Sequence, residues 1–129
     1  MADSYCESSS MFEIPRGKED KAKEILESIS GQLMEENDYV GYKADFEDMG
    51  DGQLGLWIRH DESINPEDVE LLAKALVEGL EIDEPFFFSW SYTCSKPRIN
   101  EFGGGACAVK RGLESRWFDA NSLAHEAFV

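Results

Sequence analysis

Positive charge is what this chain lacks most. Of 129 residues, 12 are lysine or arginine against 27 aspartates and glutamates, and the formal net charge at pH 7 is −15. Nucleic acid gains affinity from bases that release its counterions, so direct DNA or RNA binding is disfavoured. An anionic membrane surface is disfavoured for the same reason. Histidine is nearly absent too: His60 and His125 are the only two. Neither belongs to a close metal-ligand pair, and the cysteines supply no zinc spacing, so no metal and no cofactor is expected. Nothing favours a cysteine–histidine nucleophile pair, and the chain reads as a binding protein rather than an enzyme.

Cysteine is scarce and unpaired. Cys6, Cys94 and Cys107 make an odd count without framework spacing. That points to a reducing cytoplasm rather than a disulfide scaffold. The alternative is a bridge between Cys94 and Cys107 across neighbouring strands. No apolar run approaches the ~20 residues of a membrane span. Met1 to Ser10 has neither the basic start nor the apolar run of a secretory signal, and reads as a loose tail before one domain over 11–129.

The acid is concentrated. Residues 1–84 hold 23 acids and 7 bases, a balance of −16, whereas residues 85–129 hold 4 acids and 5 bases, a balance of +1. A field of that size selects partners by charge, and it favours a basic one. A core is still affordable: 42% of residues are hydrophobic and 12% aromatic.

Hydrophobic periodicity outlines the elements. Ser10–Pro15 reads as a first strand, broken at Pro15-Arg16-Gly17. A helix follows over about 18–33, with Ala22, Ile25, Leu26, Ile29 and Leu33 on one stripe and Gly31 near its end. Glu35 to Asp38 reads as a polar connector. Residues 40–47 and 53–60 each alternate around the turn residues 48–52, which is a hairpin. Asn65 caps a second helix, with Pro66 at its first position and Glu67 and Asp68 at its positive end. Val69, Leu72, Ala73, Leu76 and Leu80 form its buried stripe; Glu67, Glu70, Lys74, Glu78 and Glu81 form its wet one. Phe86–Thr93 is the most apolar strand. A loop over Ser95–Gly104, a hairpin turning at Lys110-Arg111-Gly112 and a short helix over 121–128 complete the chain. The order is β-α-β-β-α-β plus a C-terminal strand or hairpin. It predicts an α+β domain: an antiparallel sheet of four to six strands, two helices on one face, in split βαβ (ferredoxin-like) order.

Three features bear on function. The first is the acidic surface. Glu35, Glu36, Asp38, Asp45, Glu47, Asp48, Asp51, Glu67, Glu70, Glu78 and Glu81 would, if presented as a row, imitate a phosphate backbone to a basic groove. Glu78 and Glu81 lie near the negative end of a helix, where acid is mildly destabilising, which favours function over mere solubility. The bland reading is a solvated face. Asp45 to Asp51 is no calcium loop, because Met49 and Leu56 fall where ligand oxygens are needed. The second feature is the loop. Lys96 and Arg98 with Gly103, Gly104 and Gly105 would grip a small anion; the bland reading is structural glycines and internally paired bases. The third is Trp57 and Phe87, which point away from the core faces of their strands. Either they form an interface, such as a homodimer, or the C-terminal segment covers them.

The run F-x-W-x-Y-T-C-S-K-P-R, at residues 88–98, followed by F-G-G-G-A at 102–106, resembles a motif in small uncharacterised α+β proteins of bacteria, phages and mobile elements. The resemblance covers the second helix through Trp117. It implies a single small α+β domain and no particular activity. With the charge and size it frames the leading expectation: an acidic inhibitory module, a nucleic-acid mimic. Its partner would be a basic nuclease or other nucleic-acid-binding protein, in counter-defence of the anti-restriction or anti-CRISPR kind. A small-anion protein or enzyme built on the Ser95–Gly105 loop is the alternative.

Overall fold

The first strand, β1, runs Ser4–Ile14 in the computed structural model, which describes residues 4–60, 62–94 and 103–128. The segment read as a loose tail is therefore strand from Ser4 onward. It carries no clear hydrophobic alternation, and backbone hydrogen bonds on both sides hold it in place. Ser4–Glu7 pairs with β4 (Phe86–Cys94), and Cys6 also exchanges backbone bonds with Glu62 and Ile64. From Ser8 to Ile14, β1 pairs instead with β3 (Leu54–His60). Polar Glu7-Ser8-Ser9-Ser10 thus spans the point where the strand changes partner.

Helix α1 covers Glu19–Asn37, a full turn longer than its apolar stripe suggested. Glu35 and Glu36 are helical rather than a connector, and Gly31 is interior. The helix ends at Asp38, whose φ of 55° turns the chain out while its N–H bonds to Met34 O. β2 (Lys43–Asp48) and β3 form the expected hairpin. Helix α2 (Pro66–Gly79) starts as its sequence dictates: the Asn65 side chain accepts the Glu67 N–H at 3.0 Å, and Pro66 occupies the first turn.

β5 (Gly103–Val109) pairs with β4, then β6 (Arg116–Asp119) pairs with β5. Helix α3 (Ala120–Glu126) follows, with no buried residue. Among the described residues the strands form one six-stranded antiparallel sheet, in the order β2-β3-β1-β4-β5-β6. The protein is α+β, with three helices among the described residues. None is long and apolar enough to cross a membrane.

Register puts Phe12, Ile14, Leu56, Ile58, Phe88, Cys107 and Val109 on a single face of the sheet. These side chains share one buried cluster with Ala22 and Leu33 of α1 and Val69, Leu72, Ala73 and Leu76 of α2. Burial of this kind is the main favourable term in folding. The intervening residues, Ser9, Met11, Trp57, Arg59, Phe87 and Ser89, project from the opposite face.

Candidate functional site

The acid of the sequence is not gathered into one row. Glu35, Glu36 and Asp38 end α1, close to where α2 starts; Tyr39 reaches the Ser63 carbonyl at 2.8 Å there. Glu67 lies at that same end, in the first turn of α2. Asp48 and Asp51 sit at the opposite end. The Asp48 carboxylate holds the Gly50 N–H at 2.8 Å, and the Asp51 carbonyl takes Arg16 at 2.7 Å. Glu81 also belongs to that end, since Lys18 near the start of α1 bonds to the carbonyl of Leu80. Glu81 turns the chain out of α2 with a φ of 56°.

Two acids on the supposed wet stripe of α2 are internal fastenings. Glu78 Oε1 accepts the Gly112 N–H at 2.6 Å and the Lys74 ammonium at 3.1 Å. The Gly112 bond first, then Lys74, holds its carboxyl below the usual glutamate range. Lys74 spends its remaining protons on the carbonyls of Lys110 and Leu113. Glu70 takes the Ser115 hydroxyl at 2.7 Å. The position of Glu78 near the helix's negative end is thus explained by docking of the β5–β6 turn.

The glycines have a packing reason as well. Gly103, Gly104 and Gly105 are strand residues of β5, not a loop. A Cβ on Gly104 would sit 2.5 Å from the Trp90 carbonyl oxygen, and one on Gly105 would sit 2.5 Å from the Trp90 ring and 2.6 Å from the Phe118 carbonyl. These glycines let Trp90 and β6 close onto β5, where Trp90, Phe88 and Trp117 form an aromatic cluster. Lys96 and Arg98 lie outside the described residues.

The uncovered face of the sheet carries the concentration of features that packing leaves unexplained. Phe87 is 66% exposed, Met11 42% and Met49 47%, with Trp57 half-buried. Among the described residues the C-terminal segment therefore does not cover this face. The Met49 and Met11 sulfurs both lie over Gly55, where a Cβ would be 2.6 and 2.7 Å from them. Thioethers adapt readily to a partner's shape. Asp45 and Glu47 alternate with core residues on β2 and so share this face, as does Glu13 on β1. Glu13 and Glu47 both pair with Gly55, which places them about 10 Å apart across three strands.

One end of this face opens into a cavity of about 670 Å³. It lies where β1 leaves β4 for β3, and Ser8, Ser9, Trp57, Arg59, Ser89 and Ser91 are among its walls. Ser8 Oγ donates to the Ser89 carbonyl at 2.6 Å, replacing a ladder bond at the divergence. The Arg59 guanidinium stacks 3.9 Å over the Trp57 ring and pairs with Asp45 at 2.7 Å. Trp57 Nε1 donates to Ser9 Oγ at 2.8 Å. His60 Nδ1 accepts the N–H groups of Glu62 and Ser63, which assigns the neutral ring's proton to Nε2. Sequence reasoning missed this site. Its signal was serine at neighbouring positions of two strands: Ser8, Ser9 and Ser10 on β1, and Ser89 and Ser91, which alternate with Phe88, Trp90 and Tyr92 on β4.

Among the described residues no group of histidine, cysteine and carboxylate side chains is placed to hold a metal. Cys107 is buried and its thiol is pushed up to about 11, by burial and then by the charge of Glu70. That makes it a poor nucleophile. Cys107 lies opposite Phe88 on β4, six residues before Cys94, a separation of about 20 Å. A disulfide needs Cα atoms within about 7 Å, so the two cannot be bridged. No protein-family model, curated protein or solved structure matches the chain.

Proposed function

We propose that this protein is an acidic binding module and that the uncovered sheet face is its docking surface for a basic protein. The observation that carries this reading is Phe87, 66% exposed beside Met11, Met49 and Trp57 on a face that also presents Glu13, Asp45 and Glu47. An apolar centre with a charged rim is the usual anatomy of a protein interface. The net charge of −15 steers basic partners toward it. A protein whose basic groove normally holds nucleic acid meets that description, and occupation of the groove would inhibit it. The contact is narrower than a row of carboxylates running over the whole molecule. A second copy of the chain is a weaker occupant, because −15 would meet −15.

The order β2-β3-β1-β4 with α1 and α2 supports a split βαβ unit of ferredoxin-like order, both helices on the face opposite the docking surface. β5, β6 and α3 extend it. The free thiols of Cys6 and Cys107 support a reducing, cytoplasmic setting.

The test is capture of basic nucleases and other nucleic-acid-binding proteins on the immobilised full chain. Three baits are compared: wild type, Phe87→Ser, and Asp45→Asn with Glu47→Gln. The reading expects at least tenfold loss with Phe87→Ser, and weaker, less salt-sensitive capture with the carboxylate pair changed. Equal capture by all three would end it.

A further inference from the structure

We propose that the cavity where β1 parts from β4 is a binding site for a small molecule bearing an oxyanion, a carboxylate or a phosphate. One charge arrangement on the uncovered face is not justified by the fold alone. Lys43 and Arg59 are direct cross-strand partners on the uncovered face. Like charges placed so are destabilising, since their Cβ atoms lie only about 5 Å apart. Arg59 is compensated by Asp45. Lys43 has no ion pair among the described residues, and both line the cavity. The neighbouring hydroxyls are set to donate. Ser9 Oγ already accepts the Trp57 indole proton, so its own proton remains available to an acceptor in the cavity. Ser89 and Ser91 project from the same face of β4. Among the described residues an anion would meet two carboxylates, Glu7 in the cavity wall and Asp45, which stays on Arg59 at 2.7 Å, so the charge open to it is chiefly that of Lys43. Glu7 pairs with Ser91 and lies one same-face position beyond Ser9, the partner of Arg59, so the anion must sit on the Lys43 side of Arg59.

Size narrows the class. A volume of about 670 Å³ is too large for a bare phosphate and falls in the range of whole small-molecule sites. The structure therefore assigns to it an organic anion whose charged group rests between Lys43 and Arg59 while its body lies along the serines. This inference does not rest on the protein-docking reading, and the two can fail separately.

Titration of the full-length protein with inorganic phosphate, adenosine 5′-monophosphate and citrate, followed by backbone amide NMR shifts, is the test. The expected result is saturable change centred on Ser9, Lys43, Arg59 and Ser89 with at least one organic anion, tighter than with phosphate. Lys43→Gln should weaken it about tenfold, the value of one charge-assisted contact, and Lys43→Glu should abolish it. Lys43 holds up nothing else, so an unchanged circular dichroism spectrum keeps both variants interpretable. The nucleotide binding best would identify a phosphate source, and citrate binding best a carboxylate one. No saturable change with any of the three, or binding unaltered in Lys43→Glu, would overturn the proposal.

Discussion

Phe87 and Phe88 are neighbours on one strand, yet Phe87 is 66% exposed and Phe88 is 3% exposed. The same contrast repeats on β1 with Met11 and Phe12, and on β3 with Trp57 and Leu56. Because successive side chains of a strand point to opposite faces, the comparison is between two faces of one sheet. On the covered face, the apolar residues share one buried cluster with residues of α1 and α2. On the other face, large apolar groups gain less from folding and raise the risk of aggregation. Their presence there, beside carboxylates and the Lys43–Arg59 pair, is what makes that face a functional candidate.

The sharpest way to break the comparison is to substitute one residue from each side. Leu76 of α2 is fully buried in the core cluster. Leu76→Ala should cost about 2–5 kcal/mol, through lost burial and the cavity left behind. Phe87→Ser should change stability by less than about 0.5 kcal/mol. Urea unfolding followed by tryptophan fluorescence reports both. A Phe87→Ser loss comparable to that of Leu76→Ala would mean the second face is covered after all.

A smaller effect probes how the covered side is closed at its edge. Gly41 packs on the start of α2: its N–H donates to buried Asp68 at 2.8 Å, and its carbonyl accepts the Asn65 N–H at 2.7 Å. A Cβ there would overlap the Asn65 Cβ and sit 2.7 Å from the Asp68 carboxylate. Gly41→Ala should therefore destabilise by about 1–3 kcal/mol, measured in the same unfolding experiment.

What the sequence disclosed follows from the range of the forces involved. Asn65, Pro66 and the stripe Val69, Leu72, Ala73 and Leu76 announce α2, because capping and periodicity act within a few residues. Tyr42, Ala44 and Phe46 likewise mark the packed side of their hairpin. The first half of β1 stayed hidden because Glu7 to Ser10 is held by hydrogen bonds to two different neighbours, which leave no hydrophobic signature. Gly103 to Gly105 resembled an anion loop because their purpose, the close approach of Trp90 and β6, exists only in three dimensions. Trp57 and Phe87 were recognisable as outward-facing, but whether the C-terminal segment covered them was a tertiary question.

Glu78 gives the smallest expected effect and the most informative one about the side that looked purely solvated. Its partners Lys74 and Gly112 tie α2 to the β5–β6 turn, so the region beside the helix is fastened by polar contacts rather than by apolar burial. Its carboxyl is held below the ordinary value of 4.5, by the Gly112 N–H first and Lys74 second. A group whose pKa is depressed by folding adds stability above its unfolded pKa and loses it as pH falls through its folded pKa. The thermal midpoints of wild type and Glu78→Gln should therefore differ at pH 7 and converge once the pH drops below the folded value. A difference that persists unchanged into that acid range would show that Glu78 acts without its charge. An absent difference at pH 7 would show that Lys74 and its two carbonyls hold the turn alone.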